Sequence, residues 1–127
     1  MGKSFRDLIV WQRAVDMTVS VYELTENFPR KEIYGLTSQL RRAAVSVASN
    51  IAEGAGRGSK KEFRQFLNTA RGSNCELQTQ LIIVSRLNLA VRRDIETTES
   101  MSHEVGRMLN GLLQSLSREE QQPGTNN

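Results

Sequence analysis

The stretch Ile33-Tyr34-Gly35-Leu36-Thr37-Ser38-Gln39-Leu40-Arg41-Arg42-Ala43-Ala44-Val45-Ser46-Val47-Ala48-Ser49-Asn50-Ile51-Ala52-Glu53 decides the fold. Its apolar residues recur at three- and four-residue spacing, which is the period of an α-helix and not of a strand. Ile33, Leu36, Leu40, Ala43, Ala44, Val47 and Ile51 fall on one side, and Tyr34, Val45, Ala48 and Ala52 form a second apolar strip beside it. Together the strips cover roughly 200° of the helix, about twice what a helix lying on a core requires. A helix this apolar is covered on two sides. In a chain of 127 residues the second cover is expected from another subunit, the alternative being a central helix in a monomer.

Working outward, this second helix is expected from about Lys31 to Ala55. Before it lies a first helix from about Arg6 to Asn27, with Leu8, Trp11, Val15, Val21 and Tyr22 near one face; Phe28-Pro29 breaks it, and Pro29 suits the start of the next helix. Gly54-Ala55-Gly56-Arg57-Gly58 ends the second helix. Ser59-Lys60-Lys61-Glu62 forms a capping box that opens a third, with Ser59 as N-cap and Glu62 reaching back. That helix is expected from Lys60 to about Leu89, with Phe63, Phe66, Leu67, Ala70, Leu77, Leu81 and Val84 on one face. Asn74 sits inside the stripe, where a buried amide fixes register or assembly, and Gly72-Ser73 is a candidate for close packing. A fourth helix, capped by Asp94, is expected from Ile95 to about Leu116, with Met101, Val105, Met108, Leu109, Leu112, Leu113 and Leu116 turned inward and Gly106 and Gly111 weakening it. Residues 117–127 are expected to be a disordered tail. Four amphipathic helices on short turns give an all-α, up-down-up-down antiparallel four-helix bundle, a single domain over residues 1–116.

Composition narrows the function. No run of apolar residues is long enough for a transmembrane helix, and the N-terminus lacks a signal peptide's apolar stretch, so a cytoplasmic protein with no membrane partner is expected. Gly2 is followed by Arg6 where a myristoylation signal needs Ser or Thr. One cysteine, Cys75, and one histidine, His103, leave no disulfide, no cysteine-based zinc site and no histidine pair. No catalytic residues, metal or cofactor are expected. Cys75 is taken as structural and His103 as a surface residue. Gly54 to Lys61 only superficially resembles a phosphate loop: Ser59 stands where the second glycine belongs, Lys61 where Ser or Thr belongs, and a helix precedes it instead of a strand.

Charge is uneven along the chain. Residues 30–71 carry nine Lys/Arg against three acids, residues 1–29 three against four, and residues 72–127 five against seven. Arg57, Lys60, Lys61, Arg64 and Arg71 surround or follow the N-terminus of the third helix, where free N–H groups already favour anions. Lys60, Arg64 and Arg71 lie within about 40° of one another on a helical projection, at about 100° per residue. Such a stripe tracks phosphates without reading sequence; it carries no interleaved aromatics for base stacking. The alternative is an ordinary solvated face.

The segment Tyr34 to Gly54 resembles the signature of the bacterial four-helix bundle family encoded within intervening sequences of 23S ribosomal RNA genes. Trp11-Gln12-Arg13-Ala14, Phe28-Pro29 with Glu32, and Ala70-Arg71-Gly72-Ser73-Asn74-Cys75-Glu76-Leu77 agree with it, so the likeness runs to about residue 116. Ala48 stands where the family often has proline, and the second helix should be straighter for it. The resemblance implies a homopentameric ring, similar in fold to the accessory proteins of diversity-generating retroelements, which work beside a reverse transcriptase and bind nucleic acid. Part of the family motif maps to the polar strip Gln39, Arg42, Ser46, Asn50 and Glu53, expected to join Glu76 in an inter-helix or inter-subunit polar network, against a plain surface and capping pattern. The expected function is a non-catalytic homo-oligomer binding RNA or DNA through the basic stripe. The alternative is a scaffold that docks a partner enzyme without touching nucleic acid.

Overall fold

The computed structural model describes residues 4–120. Four helices carry the fold: α1 Ile9–Thr25, α2 Ser38–Ala55, α3 Lys60–Arg86 and α4 Arg92–Glu120. Side-chain contacts define how they stack. Thr18 of α1 donates to the Ala44 carbonyl and Arg41 of α2 donates to Thr25, so α1 and α2 run antiparallel. Ser46 pairs with Ser73 while Gln39 and Gln80 line one cleft, so α2 and α3 do too. Asn74 with Ser102 and Lys60 with Glu119 do the same for α3 and α4, and Ser20 with Thr98 and Arg13 with Glu104 close α4 onto α1. The result is the antiparallel four-helix bundle that the periodicity requires.

Each helix contributes one seam to the core. In α1 the seam is Val10, Ala14, Met17, Val21 and Leu24, at alternating four- and three-residue steps. This corrects the expected face: Leu8, Trp11 and Val15 are only partly buried and Tyr22 is exposed. The bulky residues mark the flanks, and small Ala14 and flexible Met17 mark the centre. In α2 the inner strip is as expected from Leu40 to Ile51, with Leu36 just before it, whereas Ile33 is exposed. The reason lies at the helix start. Arg30–Glu32 form a short 3-10 turn and Ile33–Thr37 a π-type turn, with Gly35 outside helical geometry at φ −111° and ψ −109°. The expected helix from Lys31 is therefore an elbow followed by α2. Beyond the elbow α2 is unbroken through Ala48.

The boundaries of α3 follow local chemistry. The Glu62 N–H donates to Ser59 Oγ at 3.1 Å, and the Glu62 carboxylate reaches back to the same hydroxyl at 3.4 Å. At the other end Asn88 adopts φ 55° and the Leu89 N–H bonds the Val84 carbonyl, a left-handed stop that ends the helix three residues before the expected Leu89. Helix α4 starts at Arg92, its first carbonyl acceptor being Val91, so Asp94 lies inside the first turn and is not the cap. Helix α4 also continues past Leu116 to Glu120; the rest of the expected tail, residues 121–127, lies outside the described residues.

Asn74 is buried and fixes register within the chain. Its Nδ2 donates to the Ser102 carbonyl at 2.9 Å, and the Ser102 hydroxyl donates to its Oδ1 at 2.8 Å. Close packing occurs at Gly54 and, of the expected Gly72-Ser73 pair, at buried Ser73 against Ser46 and not at Gly72. A Cβ on Gly54 would sit 2.6 Å from Phe66 Cβ and 3.1 Å from the Phe63 ring, whereas one on Gly72 would meet nothing within 4 Å.

Three substitutions test this. Alanine improves helix propensity over glycine by about 0.8–1 kcal/mol. At Gly72 that gain is unopposed, so Gly72→Ala should raise stability by nearly that amount in urea melts. At Gly54 the overpacking cost of roughly 1–3 kcal/mol should outweigh it, and Gly54→Ala should lower the midpoint. Ser102→Ala leaves the buried Asn74 carbonyl without its hydroxyl donor and should cost about 1–3 kcal/mol by the same measurement.

Candidate nucleic-acid interface

The five expected cations gather along the start of α3 and the loop before it, and most have protein partners. Arg57 donates to Glu53 at 2.7 Å and stacks over the Phe66 ring at 4.9 Å. Lys60 Nζ lies 2.6 Å from Glu119 at the end of α4. Arg71 donates to Asn110 of α4 at 3.2 Å and to Asn68 at 2.8 Å. Arg64 is half-buried and likewise engaged. Lys61 is exposed and has no ion pair among the described residues. The stripe thus lies along the α4 side of α3, and α4 partly neutralises it while bringing exposed Arg118 to the same end. Sequence reasoning did not pair Lys60 with Glu119, because the two lie at the start of α3 and the end of α4 and only the antiparallel register of those helices joins them.

These ion pairs are half-exposed, with side-chain accessibilities of 63% for Lys60 and 47% for Glu119. Pairs of this kind contribute little, about 0–1 kcal/mol, and are screened by salt. A phosphate arriving at the α3 N-terminus therefore competes with weak partners. The free N–H groups of the first turn add positive potential there.

The polar strip of α2 is brought together in part. Gln39, Arg42, Ser46 and Glu76 line one cleft of about 420 Å³ between α2 and α3, with Ala43 and Gln80. Ser46 Oγ and Ser73 Oγ are 2.8 Å apart, and Asn50 Nδ2 donates to the Ser46 carbonyl and hydroxyl at 2.8 and 3.0 Å. Glu53 does not join them: it turns to Arg57, four residues on. Arg42 and Glu76 are exposed and face the cleft without an ion pair between them. Within the single chain Arg42 and Glu53 do not pair with each other. Ser73 and Gln80 are the members sequence reasoning missed; both fall on the α3 edge marked by Glu76, at three- and four-residue steps. The Gln80 Oε1 is buried with no hydrogen bond among the described residues.

Cys75 is exposed on α3, and no group of three or more His, Cys, Asp or Glu among the described residues could hold a metal. No described helix is long and apolar enough to cross a membrane.

The described residues thus form a helical bundle with basic side chains along α3 and a polar cleft between α2 and α3. Over residues 6–111 the chain matches the family model of the 23S rRNA-intervening sequence protein, and it belongs to that family. It is similar to the crystal structure of a protein of unknown function from the S23 ribosomal protein family of Bacteroides thetaiotaomicron, with a TM-score of 0.75 at 21% identity, covering 83% of this chain and 98% of that one. At that identity the likeness speaks for the fold alone. No curated protein matches at a significant level.

The exposure of Arg42 sets a stability expectation. Arg42→Ala removes no buried partner, so denaturant melts should shift by no more than about 0.5 kcal/mol. A loss of several kcal/mol would mean that the side chain is buried in an assembly.

Proposed function

We propose that this chain is a non-catalytic homo-oligomeric bundle, a pentameric ring by family resemblance, that binds RNA or DNA through basic edges repeated around the assembly. The observation that carries the reading is the run of Lys60, Arg64 and Arg71 along one side of α3, toward α4, with Arg57 and Lys61 near the same helix N-terminus. Oligomerisation is supported by the second apolar strip, part of which the fold leaves open: Tyr34 of the elbow is 96% exposed and Val45 of α2 41%, with Ala48 and Ala52 partly buried beside them. One copy offers a weak electrostatic site. Several copies in one particle act at high effective concentration, so avidity far exceeds single-chain affinity. Such binding tolerates sequence and falls steeply with salt, because it rests on counterion release.

A second reading has its own support. Lys60 and Arg71 are already engaged by α4, and the apolar side chains Ile82, Ile83 and Leu87 stand exposed on α3. These features suit a ring that docks a protein partner, an enzyme for instance, with the cations incidental.

Filter binding to a labelled structured RNA at two salt concentrations separates the readings. Replacing Lys60, Arg64 and Arg71 with Gln should weaken RNA and DNA alike and flatten the salt dependence while light scattering shows an unchanged particle. Glu119→Gln should act oppositely, releasing Lys60 and tightening binding at low salt. A parent protein that binds no nucleic acid in 50 mM salt, on the order of the lowest ionic strength at which such contacts are compared, would give the lead to the docking role.

A further inference from the structure

The cleft between α2 and α3 is built as a series of rungs. Gln39, Arg42 and Ser46 follow one another on α2 at steps of three and four residues, and Ser73, Glu76 and Gln80 do the same on α3. The antiparallel register sets Ser46 against Ser73, Arg42 against Glu76 and Gln39 against Gln80. The serine rung closes, its hydroxyls 2.8 Å apart. The others stay open. The side chains of Gln39, Arg42 and Glu76 have no hydrogen bond or ion pair among the described residues, although Arg42 and Glu76 are oppositely charged. Gln80 is partly buried, and its Oε1 is shielded from water with no donor among the described residues.

Arg42 also borders a recess on the α1 side of α2. That recess is lined by a second cation, Arg41, and by no acid, so the field across α2 favours Arg42 on the cleft side, opposite Glu76. The open rungs define what fits between them. A guanidinium only donates and a carboxylate only accepts. A neutral ligand that meets both needs a pair of acceptors on one edge and a pair of donors on another. Among the common nucleobases guanine alone has this: O6 and N7 accept from an arginine, while N1–H and N2–H donate in parallel to a carboxylate. Adenine and cytosine set one amino group beside an acceptor, and uracil sets one N–H between two acceptors, so each leaves Arg42 or Glu76 half met. The second N2–H of guanine is the donor that the Gln80 amide oxygen lacks. At about 420 Å³ the cleft falls within the range of small-ligand sites, roughly 300–1,000 Å³.

We infer that the α2–α3 cleft holds a single guanine base, with Arg42 on its O6/N7 edge, Glu76 on its N1–H/N2–H edge and Gln80 on the remaining N2–H. The cleft lies on a different face of α3 from the cations that run toward α4, so this goes beyond the proposed phosphate contact and does not depend on it. The basic edge holds any strand, whereas the cleft reads one base. That base has two sources, a free nucleoside or nucleotide and an unpaired guanine in RNA.

Equilibrium dialysis of the full chain against nucleosides, which carry no phosphate for the basic edge, tests it. Guanosine should bind at least about tenfold more tightly than adenosine, cytidine or uridine, the discrimination that one bidentate base contact commonly gives. Inosine, which lacks the N2 amino group, should bind more weakly than guanosine. Arg42→Ala and Glu76→Ala should each lower guanosine affinity about tenfold by the same reasoning. Glu76→Ala should also narrow the gap between guanosine and inosine. Both side chains are exposed, and circular dichroism should show each variant as helical as the parent. Replacing Lys60, Arg64 and Arg71 with Gln should leave guanosine binding unchanged, which separates this site from the basic edge. A short single-stranded RNA with one guanine that outbinds the same strand with adenine there identifies RNA as the source; guanosine binding without that difference identifies the free base. Equal binding of all the nucleosides, no binding of guanosine at millimolar concentration, or an affinity unchanged in both Ala variants overturns the assignment. Displacement of guanosine by glycine overturns it too, by showing a site for a zwitterion.

Discussion

Everything positioned in this molecule depends on how closely α2 approaches α3. The contact is built from residues with little or no side chain on the α2 side: Gly54 against Phe66 and Phe63, and Ser46 against Ser73. Two helices this near lose the freedom to slide, because the ring of Phe63 and the stem of Phe66 occupy the space that a side chain at Gly54 would take. The fixed register then determines which polar groups share a cleft, Gln39 with Gln80 and Arg42 with Glu76, and which apolar ones share an edge. The Asn74–Ser102 pair does the same for α3 against α4 through hydrogen bonds. One seam is set by the absence of bulk and the next by a satisfied buried amide, and the remaining helix fits between them.

The number and kind of the helices were legible in the sequence because amphipathic periodicity is a local property. The capping box at Ser59 and the apolar stripe of α3 could be read residue by residue, and the family signature in α2 agreed with them. What stayed hidden was non-local or nearly isoenergetic. The inward face of α1 was mistaken because a Trp and a Tyr outweigh Ala14 and Met17 in any hydrophobicity count, yet a helix seam selects for fit as well as for size. The elbow at Gly35 was missed because its flanks keep helical spacing. Asn88 ended α3 earlier than expected because asparagine tolerates the left-handed conformation almost as glycine does, and no proline or glycine flagged it.

The candidate site shows the same division. Spacing alone placed Lys60, Arg64 and Arg71 on one side of a helix. Glu119 and Asn110, the partners of Lys60 and Arg71, come from the last helix, and only the closed bundle reveals that α4 shares the edge. The polar strip of α2 divided for a local reason. Glu53 is four residues from Arg57 along the helix end, and that short-range pair wins over any partner across the cleft. Further in, Ser46 meets Ser73 of α3, and Asn50 also pairs locally, donating to Ser46 four residues back.

The π-type turn at Ile33–Thr37 has a consequence for how this chain can vary in length. A π-type turn holds one residue more than an α-helical turn, and each residue of an α-helix advances the side chains by about 100°. The elbow is thus a phase adapter. It lets the Phe28-Pro29 corner meet α1 in one orientation while α2 presents its inner strip in another. Removing one residue there rotates the corner relative to the core by about a quarter turn. Length changes are absorbed cheaply in the loops at Arg57 and Ala90; at the elbow they change which way the first helix faces.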